Sequence, residues 1–198
     1  NPSVEEIEST RLKCGFNKVE FDAEKQQIKF LAEGIEFDLE GIAKGIALDS
    51  IKPILQEKGI SNGIVSFGES SILAIGKHPN GENWPIGIQN NYNSTDFVHV
   101  FLSSNETVIT TGSIFNSDER VVNKRKPIIS PVSGLPVDSN KTVSIKSESA
   151  TMGEFLSTVW MILPENDKTI LSEKFNKIEI LEVDYLDKHD IKTKLTLL

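Results

Sequence analysis

One stretch, Phe37 to Gly59 (FDLEGIAKGIALDSIKPILQEKG), constrains the fold more than any other. Phe37 and Leu39 alternate with Asp38 and Glu40 as a strand end does. Ile42, Ala43, Ile46, Ala47, Ile51 and Ile54 then recur at helical spacing, so the sequence predicts a strand turning directly into an amphipathic helix that Gly59 stops. Pro53 lies inside that helix and should kink or restart it. Gly41 and Gly45, four apart, share a face, and each costs up to about 1 kcal/mol relative to Ala. Something has to approach that face closely. A helix start of this kind presents unpaired backbone N–H groups and the positive end of a dipole, with Lys44 beside it, which suits a phosphate. Asp38 and Glu40 oppose a bare anion and suit one accompanied by a divalent cation. A strand packed on a helix, with glycines for contact, explains the same residues without a ligand.

Composition narrows the function classes. The 198 residues, 38% hydrophobic and 25% charged, suffice for one sizeable core or two small lobes. A net charge of -8 argues against nucleic acid and anionic membranes as partners, and the basic run Lys124, Arg125, Lys126 is too short to alter that. Cys14 is the single cysteine, which excludes an internal disulfide and a cysteine-based metal site. No apolar run approaches the roughly 18 residues of a membrane span. The first residue is Asn1 rather than Met, so a lipid anchor or export signal is expected only on a preceding segment.

Elsewhere the pattern is mostly of strands. Pro2 to Gly15 reads as a short helix with Ser3 and Glu6 forming a capping box. Lys18 to Asp22, Gln27 to Leu31 and Ile35 to Leu39 alternate as a meander. Two strand-like runs flank Gly68 to Ser71, and Trp84, Ile86 and Ile88 share a strand face. Phe97 to Leu102 and Thr107 to Ile109 read as an antiparallel pair about Ser103 to Glu106. Thr110-Thr111-Gly112 is either a plain turn or a set of hydroxyl donors to a nucleotide. Ser149 caps a helix over Ala150 to Leu163, on which Glu154 and Thr158 share a face. A short helix capped by Asn166 and strands at Ile178 to Glu182 and Lys192 to Leu197 finish the chain. With hairpin-length connections, the expected class is α+β with antiparallel or mixed sheets and two main helices, as one domain over residues 1–198.

Five stretches, in order, resemble the ApbE-like flavin transferases, the FAD:protein FMN transferases. FDLEGIAKGIALD is similar to their DLGGIAKGYAVD, with Glu40 for the first glycine. Gly68 and its flanks resemble VNLGGDIRALG, but Glu69, Ser70 and Ser71 follow the glycine; Thr110, Thr111 and Gly112 resemble TSG. KRKPIISPVSGLPVDS resembles HIIDPRTGYPVDS in Pro131, Gly134, Pro136, Val137 and Asp138, and ATMGEFLSTVWMI resembles ATLADALATALFV. The resemblance covers nearly all of this chain and about the C-terminal two-thirds of a full-length transferase.

The resemblance implies a site. Gly41, Lys44, Gly45, Gly68, Thr110, Thr111, Gly112 and Gly134 would bind the flavin nucleotide, with FAD as substrate and a target flavoprotein as partner. A backbone carbonyl at Ala43 with Glu154 and Thr158 would hold Mg²⁺, or Ca²⁺, which is more forgiving of the longer Glu side chain. The implied compartment is the bacterial cell envelope, with any membrane tie through a lipid anchor. No catalytic residue carries over, because Pro127 stands where the family has the histidine that deprotonates the acceptor hydroxyl, and Ser130 and Ser133 replace its aspartate and threonine. Losing a general base costs about 10²- to 10⁴-fold in rate. Two readings follow: a metal-dependent transferase moving FMN from FAD to a Thr or Ser hydroxyl, and a catalytically degenerate relative serving as a flavin- or protein-binding module. In either, Ala43 and Lys44 should lie close to Glu154 and Thr158.

Overall fold

A computed structural model describes residues 2–113, 128–137 and 139–198. Its contacts form two compact units, one of Asn1–Asp38 with Ile129–Pro136, the other of Leu39–Ile128 with Val137–Leu198.

In the first unit, helix α1 (Val4–Arg11) begins with the expected capping box: Glu6 N–H donates to Ser3 Oγ and Ser3 N–H to Glu6 Oε2. Strands β1 (Val19–Asp22) and β2 (Gln27–Phe30) form an antiparallel hairpin. Phe16, Phe21, Phe30 and Phe37 cluster with ring centroids 5.4–6.3 Å apart. Residues 129–136 turn back through an Ile129–Pro136 bridge, and Arg11 Nη1 donates to the Val132 carbonyl at 3.0 Å. The third strand expected at Ile35 to Leu39 does not form. Leu39 instead becomes the N-cap of the next helix, its carbonyl taken by the N–H groups of Ile42 and Ala43.

The second unit is built on a six-stranded sheet. The strands are β3 (Gly63–Phe67), β4 (Ser71–Ile75), β7 (Thr107–Ser113), β8 (Lys141–Ser147), β9 (Glu179–Tyr185) and β10 (Ile191–Leu197), in spatial order β10-β9-β8-β7-β4-β3. Every described pairing is antiparallel. Because side chains alternate along a strand, the sheet buries two faces. Val108, Leu181, Val183 and Tyr185 meet Ile86, Ile88 and Phe101 of a second sheet, β5 (Trp84–Asn90) with β6 (Asn93–Ser103). On the other face, Val143, Ile145 and Ile180 meet Leu156, Trp160 and Met161 of helix α3 (Ala150–Ile162). Leu73, Ile75 and Ile109 pack with Leu48 of helix α2 (Glu40–Glu57) and with Ala150. The expected α+β class therefore holds, with α2 and α3 the long helices.

Four local expectations need correction. Strands β6 and β7 are not a hairpin: β6 pairs with β5, putting Phe101 beside Ile86, and the 104–106 segment crosses to the large sheet. Thr110, Thr111 and Gly112 are inside β7 rather than in a turn. Helix α2 runs uninterrupted through Pro53, which lies on an exposed face of the helix. Helix α4 (Glu165–Ser172) starts after Pro164, so Asn166 is in its first turn and not its cap.

Candidate functional site

The long helices meet at Gly45. A Cβ added there would stand 2.6 Å from the Ala150 carbonyl oxygen and 2.7 Å from Thr151 Cα, so only glycine admits the start of α3. Gly41 has nothing within 4 Å. The close approach inferred for the shared glycine face thus belongs to Gly45 alone.

One turn beyond Gly45, Asp49 fixes this junction. Its carboxylate accepts from Ala150 N–H at 2.8 Å, Thr151 N–H at 3.0 Å and Ser149 Oγ–H at 2.9 Å, while Ser149 Oγ accepts from Met152 N–H at 3.2 Å. A negative group on the N–H end of α3 also complements its dipole. Burial works to raise the Asp49 carboxyl, but the donors from Thr151, Ala150 and Ser149 outweigh it and hold it below the usual range. Sequence reasoning passed over Asp49. The signal was available, since a polar residue at the i+4 position from Gly45 shares the face that the glycine opens.

Around this junction, residues distant in sequence converge. Lys44 Nζ donates to Ser70 Oγ at 2.5 Å and lies 3.7 Å from Glu154 Oε1. Ser71 Oγ donates to the same Glu154 oxygen at 2.6 Å. Glu154 is buried, and its pairing with an ammonium and a hydroxyl is what a buried carboxylate requires. Thr158 follows one turn later on α3. Ala43 stands beside Lys44 in the first turn of α2, and no described contact joins it directly to Glu154 or Thr158. No side chain of the Leu39 N-cap bonds to the start of α2, whose Ile42 and Ala43 N–H groups turn to the Leu39 carbonyl.

Thr110 and Thr111 point to opposite faces of the sheet. Thr111 Oγ1 lies 2.7 Å from Ser157 Oγ on α3, whereas Thr110 Oγ1 lies 2.9 Å from Ser144 Oγ and borders a cleft on the hairpin side. Gly68 forms the β3–β4 turn, with φ 61°, and borders that cleft too; Gly112 is buried in β7 opposite Thr142. Gly134 belongs to the first unit, where its N–H donates to the Ser130 carbonyl and a Cβ would lie 2.7 Å from Ile7 Cγ2. Pro127 and Asp138 lie outside the described residues.

The donors present fit a hard cation. Among the described residues no three His, Cys, Asp or Glu side chains converge, and Glu154 is the carboxylate described beside Lys44 and Ser71. Glu154 Oε1 is committed to Ser71 and Lys44, whereas Oε2 and the Thr158 hydroxyl accept no described hydrogen bond. One or two carboxylates completed by neutral oxygens and substrate phosphates is the usual arrangement for Mg²⁺.

A profile of the ApbE family matches residues 1–181. Curated relatives include the FAD:protein FMN transferases of Buchnera aphidicola subsp. Schizaphis graminum, 25% identical over 88% of this chain and 52% of its own length, and of Escherichia coli K12, 25% identical over 86% and 50%. The chain thus spans about half the length of the curated relatives it matches. Among solved structures, the ApbE protein of Thermotoga maritima superposes with a TM-score of 0.79 at 27% identity, covering 97% of this chain and 62% of that one. The flavin transferase ApbE of Vibrio cholerae superposes at 0.75 with 20% identity, over 98% and 61%, which bears on the fold alone.

Proposed function

The chain belongs to the ApbE family, and from that premise we propose that it binds FAD at the α2–α3 junction and moves FMN to a Thr or Ser hydroxyl of a target flavoprotein, slowly. The observation that carries the reading is the convergence of Lys44, Ser70, Ser71 and Glu154 beside the uncapped start of α2. An ammonium beside the positive end of a helix dipole suits a diphosphate. In the transfer, the acceptor oxygen bonds to the phosphorus of the FMN half, the bond from that phosphorus to the bridging oxygen breaks, and AMP leaves. The acceptor proton passes to solvent or to a base.

Glu154 Oε2, the Thr158 hydroxyl and the Ala43 carbonyl would hold Mg²⁺, with Ca²⁺ as the tolerant substitute. Such an ion, when bound, neutralises charge on the phosphates. Lys44 would orient the diphosphate, and Ser71 holds Glu154 in place. Location in the bacterial cell envelope belongs to the same proposal and rests on resemblance; among the described residues no helix is long and apolar enough to cross a membrane.

Pro127, standing where the resemblance puts a base, favours a second reading in which the site binds flavin without transferring it. Incubation with FAD, Mg²⁺ and a threonine-bearing acceptor peptide, scored as covalent flavin fluorescence beside an intact relative, separates the two. Transfer about 10²- to 10⁴-fold below the relative supports the first reading. Tight FAD binding with no covalent product supports the second, and absence of FAD binding with or without Mg²⁺ refutes both.

A further inference from the structure

We propose that the exposed aromatic face of the β1–β2 hairpin, together with the open outer edge of β1, docks an extended basic segment of a partner protein as a third strand. Docking here does not depend on flavin transfer. Residues that face each other across a ladder share a side of the sheet, so Val19 and Phe21 of β1 form one face with Phe30 and Ile28 of β2. Phe16 and Phe37 extend it, with ring centroids 5.8 and 6.3 Å from that of Phe21. Phe16 is 75% exposed, Phe21 57%, Ile28 54%, Phe30 47% and Phe37 40%. An aromatic side chain has about 150–250 Å² to bury, so the four rings alone leave roughly 300–500 Å² bare, the size at which a patch marks an interaction site.

The backbone beside this face is open as well. Leu31 N–H donates to the Lys18 carbonyl, which makes Lys18 and Leu31 a hydrogen-bonded pair. Bonded and non-bonded pairs alternate along an antiparallel ladder, so the amide groups of Val19 and Phe21 point away from β2. The Val19 N–H turns to the Phe16 carbonyl, whereas no described hydrogen bond takes the Phe21 N–H or carbonyl. Among the described strands β1 pairs with β2 alone, and the Ile35 to Leu39 segment, which has a strand pattern, does not supply a third.

Charge names the occupant. Between Phe16 and Asp38 the carboxylates Glu20, Asp22, Glu24, Glu33, Glu36 and Asp38 outnumber Lys18, Lys25 and Lys29. A strand added to β1 sets the side chain opposite Phe21 on the aromatic face and its neighbours beside Glu20 and Asp22 on the other. Apolar residues alternating with lysine or arginine fit both sides. Lys29 and Lys25 hold those two carboxylates in exposed pairs, which exchange readily. On the outer edge of β2 the corresponding neighbours are Gln27 and Lys29, which oppose a basic strand. A second copy paired about Phe21 would set Glu20 of one chain against Asp22 of the other, like charge on like. An anionic lipid surface meets the same acidic surplus.

Amide chemical-shift mapping with a synthetic peptide of about ten residues, lysine alternating with valine, tests this mode of strand addition. Shifts should centre on Val19 to Asp22. The same peptide with glutamate for lysine, or N-methylated at alternate amides, should bind at least about tenfold more weakly. Phe21→Thr keeps a strand-forming residue at an exposed position and should weaken the peptide about tenfold, with a thermal melt to confirm folding. Phe16→Ser, on the most exposed of the four rings and outside the hairpin, should weaken it as well. Equal binding of the glutamate or N-methylated peptide, shifts centred elsewhere, or full affinity in the folded variants would overturn the docking surface. Self-association abolished by Phe21→Thr in sedimentation would assign the face to a second copy, and pelleting with anionic phospholipid vesicles would assign it to a membrane; either overturns the proposal.

Discussion

Replacing Gly45 with Ala tests whether the helix junction builds the site. The added Cβ would stand 2.6 Å from the Ala150 carbonyl oxygen, 2.7 Å from Thr151 Cα and 2.8 Å from the Ala150 carbonyl carbon. All three are backbone atoms and cannot rotate away. Restoring an ordinary contact of 3.4 Å requires the helices to part by about 0.8 Å, the difference between 3.4 and 2.6 Å. Overpacking of this kind costs about 1–3 kcal/mol. Helix propensity returns up to about 1 kcal/mol, and stretching of the Asp49 cap removes a similar amount. The net is a loss of about 2 kcal/mol, or roughly 6 °C in Tm for a chain of this length. Urea titration at constant m-value measures it. The same displacement moves Lys44 from Glu154, so FAD affinity should fall with stability. Gly41→Ala is the control: with nothing within 4 Å it should be neutral or stabilising by up to about 1 kcal/mol. A Gly45→Ala protein as stable as the parent, or a Gly41→Ala protein equally weakened, would refute the packing argument.

Three further outcomes are expected. Glu182 is buried between Lys168 at 2.7 Å and Lys141 at 3.2 Å; burial works to raise its carboxyl, but Lys168, the Trp160 indole, which approaches short of hydrogen-bond geometry, and Lys141 bring it to about 2. Depression from 4.5 to about 2 means stability present above pH 4.5 and lost as pH falls from there through about 2, worth about 3 kcal/mol; denaturant melts across that window should show it, and Glu182→Gln should reduce the slope, leaving the Asp49 share, while costing up to about 3 kcal/mol at neutral pH because Lys168 keeps only the exposed Glu165 as its ion-pair partner. Asp49→Ala should cost about 2 kcal/mol through loss of the α3 cap, read by thermal melts, with stability of the parent falling as pH drops below about 3.8, through the depressed Asp49 value. Pro127→His alone should leave flavin transfer well below that of an intact relative, since Glu69 and Ser130 also depart from the family pattern, and a peptide flavinylation time course checks it.

What was legible in the sequence followed from periodicity and from small residues. The α2 and α3 helices, the capping box of α1 and the shared face of Trp84, Ile86 and Ile88 all express spacing that a single element dictates. The partner of β6 was not legible, because β-pairing depends on which faces are buried, and Phe101 is committed by Ile86 and Val108 rather than by its neighbours in sequence. The same holds at the site. Lys44 and Glu154 were brought together by resemblance, but Ser71 as the second partner of Glu154 and Asp49 as the cap of α3 are long-range contacts, 83 and about 100 residues apart, that no local pattern encodes.

The β3–β4 turn links these contacts to function. Alternation along β4 sends Ser71 to Glu154 on the helix face and Ile72 to the cleft on the other, while Ser70 takes the Lys44 ammonium. The family motif has glycine and aspartate in this turn; here Glu69 and Ser70 follow Gly68. Serine at 70 gives Lys44 a neutral acceptor in place of a carboxylate, so the ammonium keeps more of its charge for a phosphate. Glutamate at 69 puts a carboxylate on the cleft side instead. Relative to the motif, negative charge is thus shifted by one residue from the side of the sheet that carries Lys44 to the cleft side; on the proposed reading this leaves the ammonium available to a diphosphate, so Ser70→Asp should weaken FAD binding, which calorimetry checks, and unchanged affinity would refute the argument.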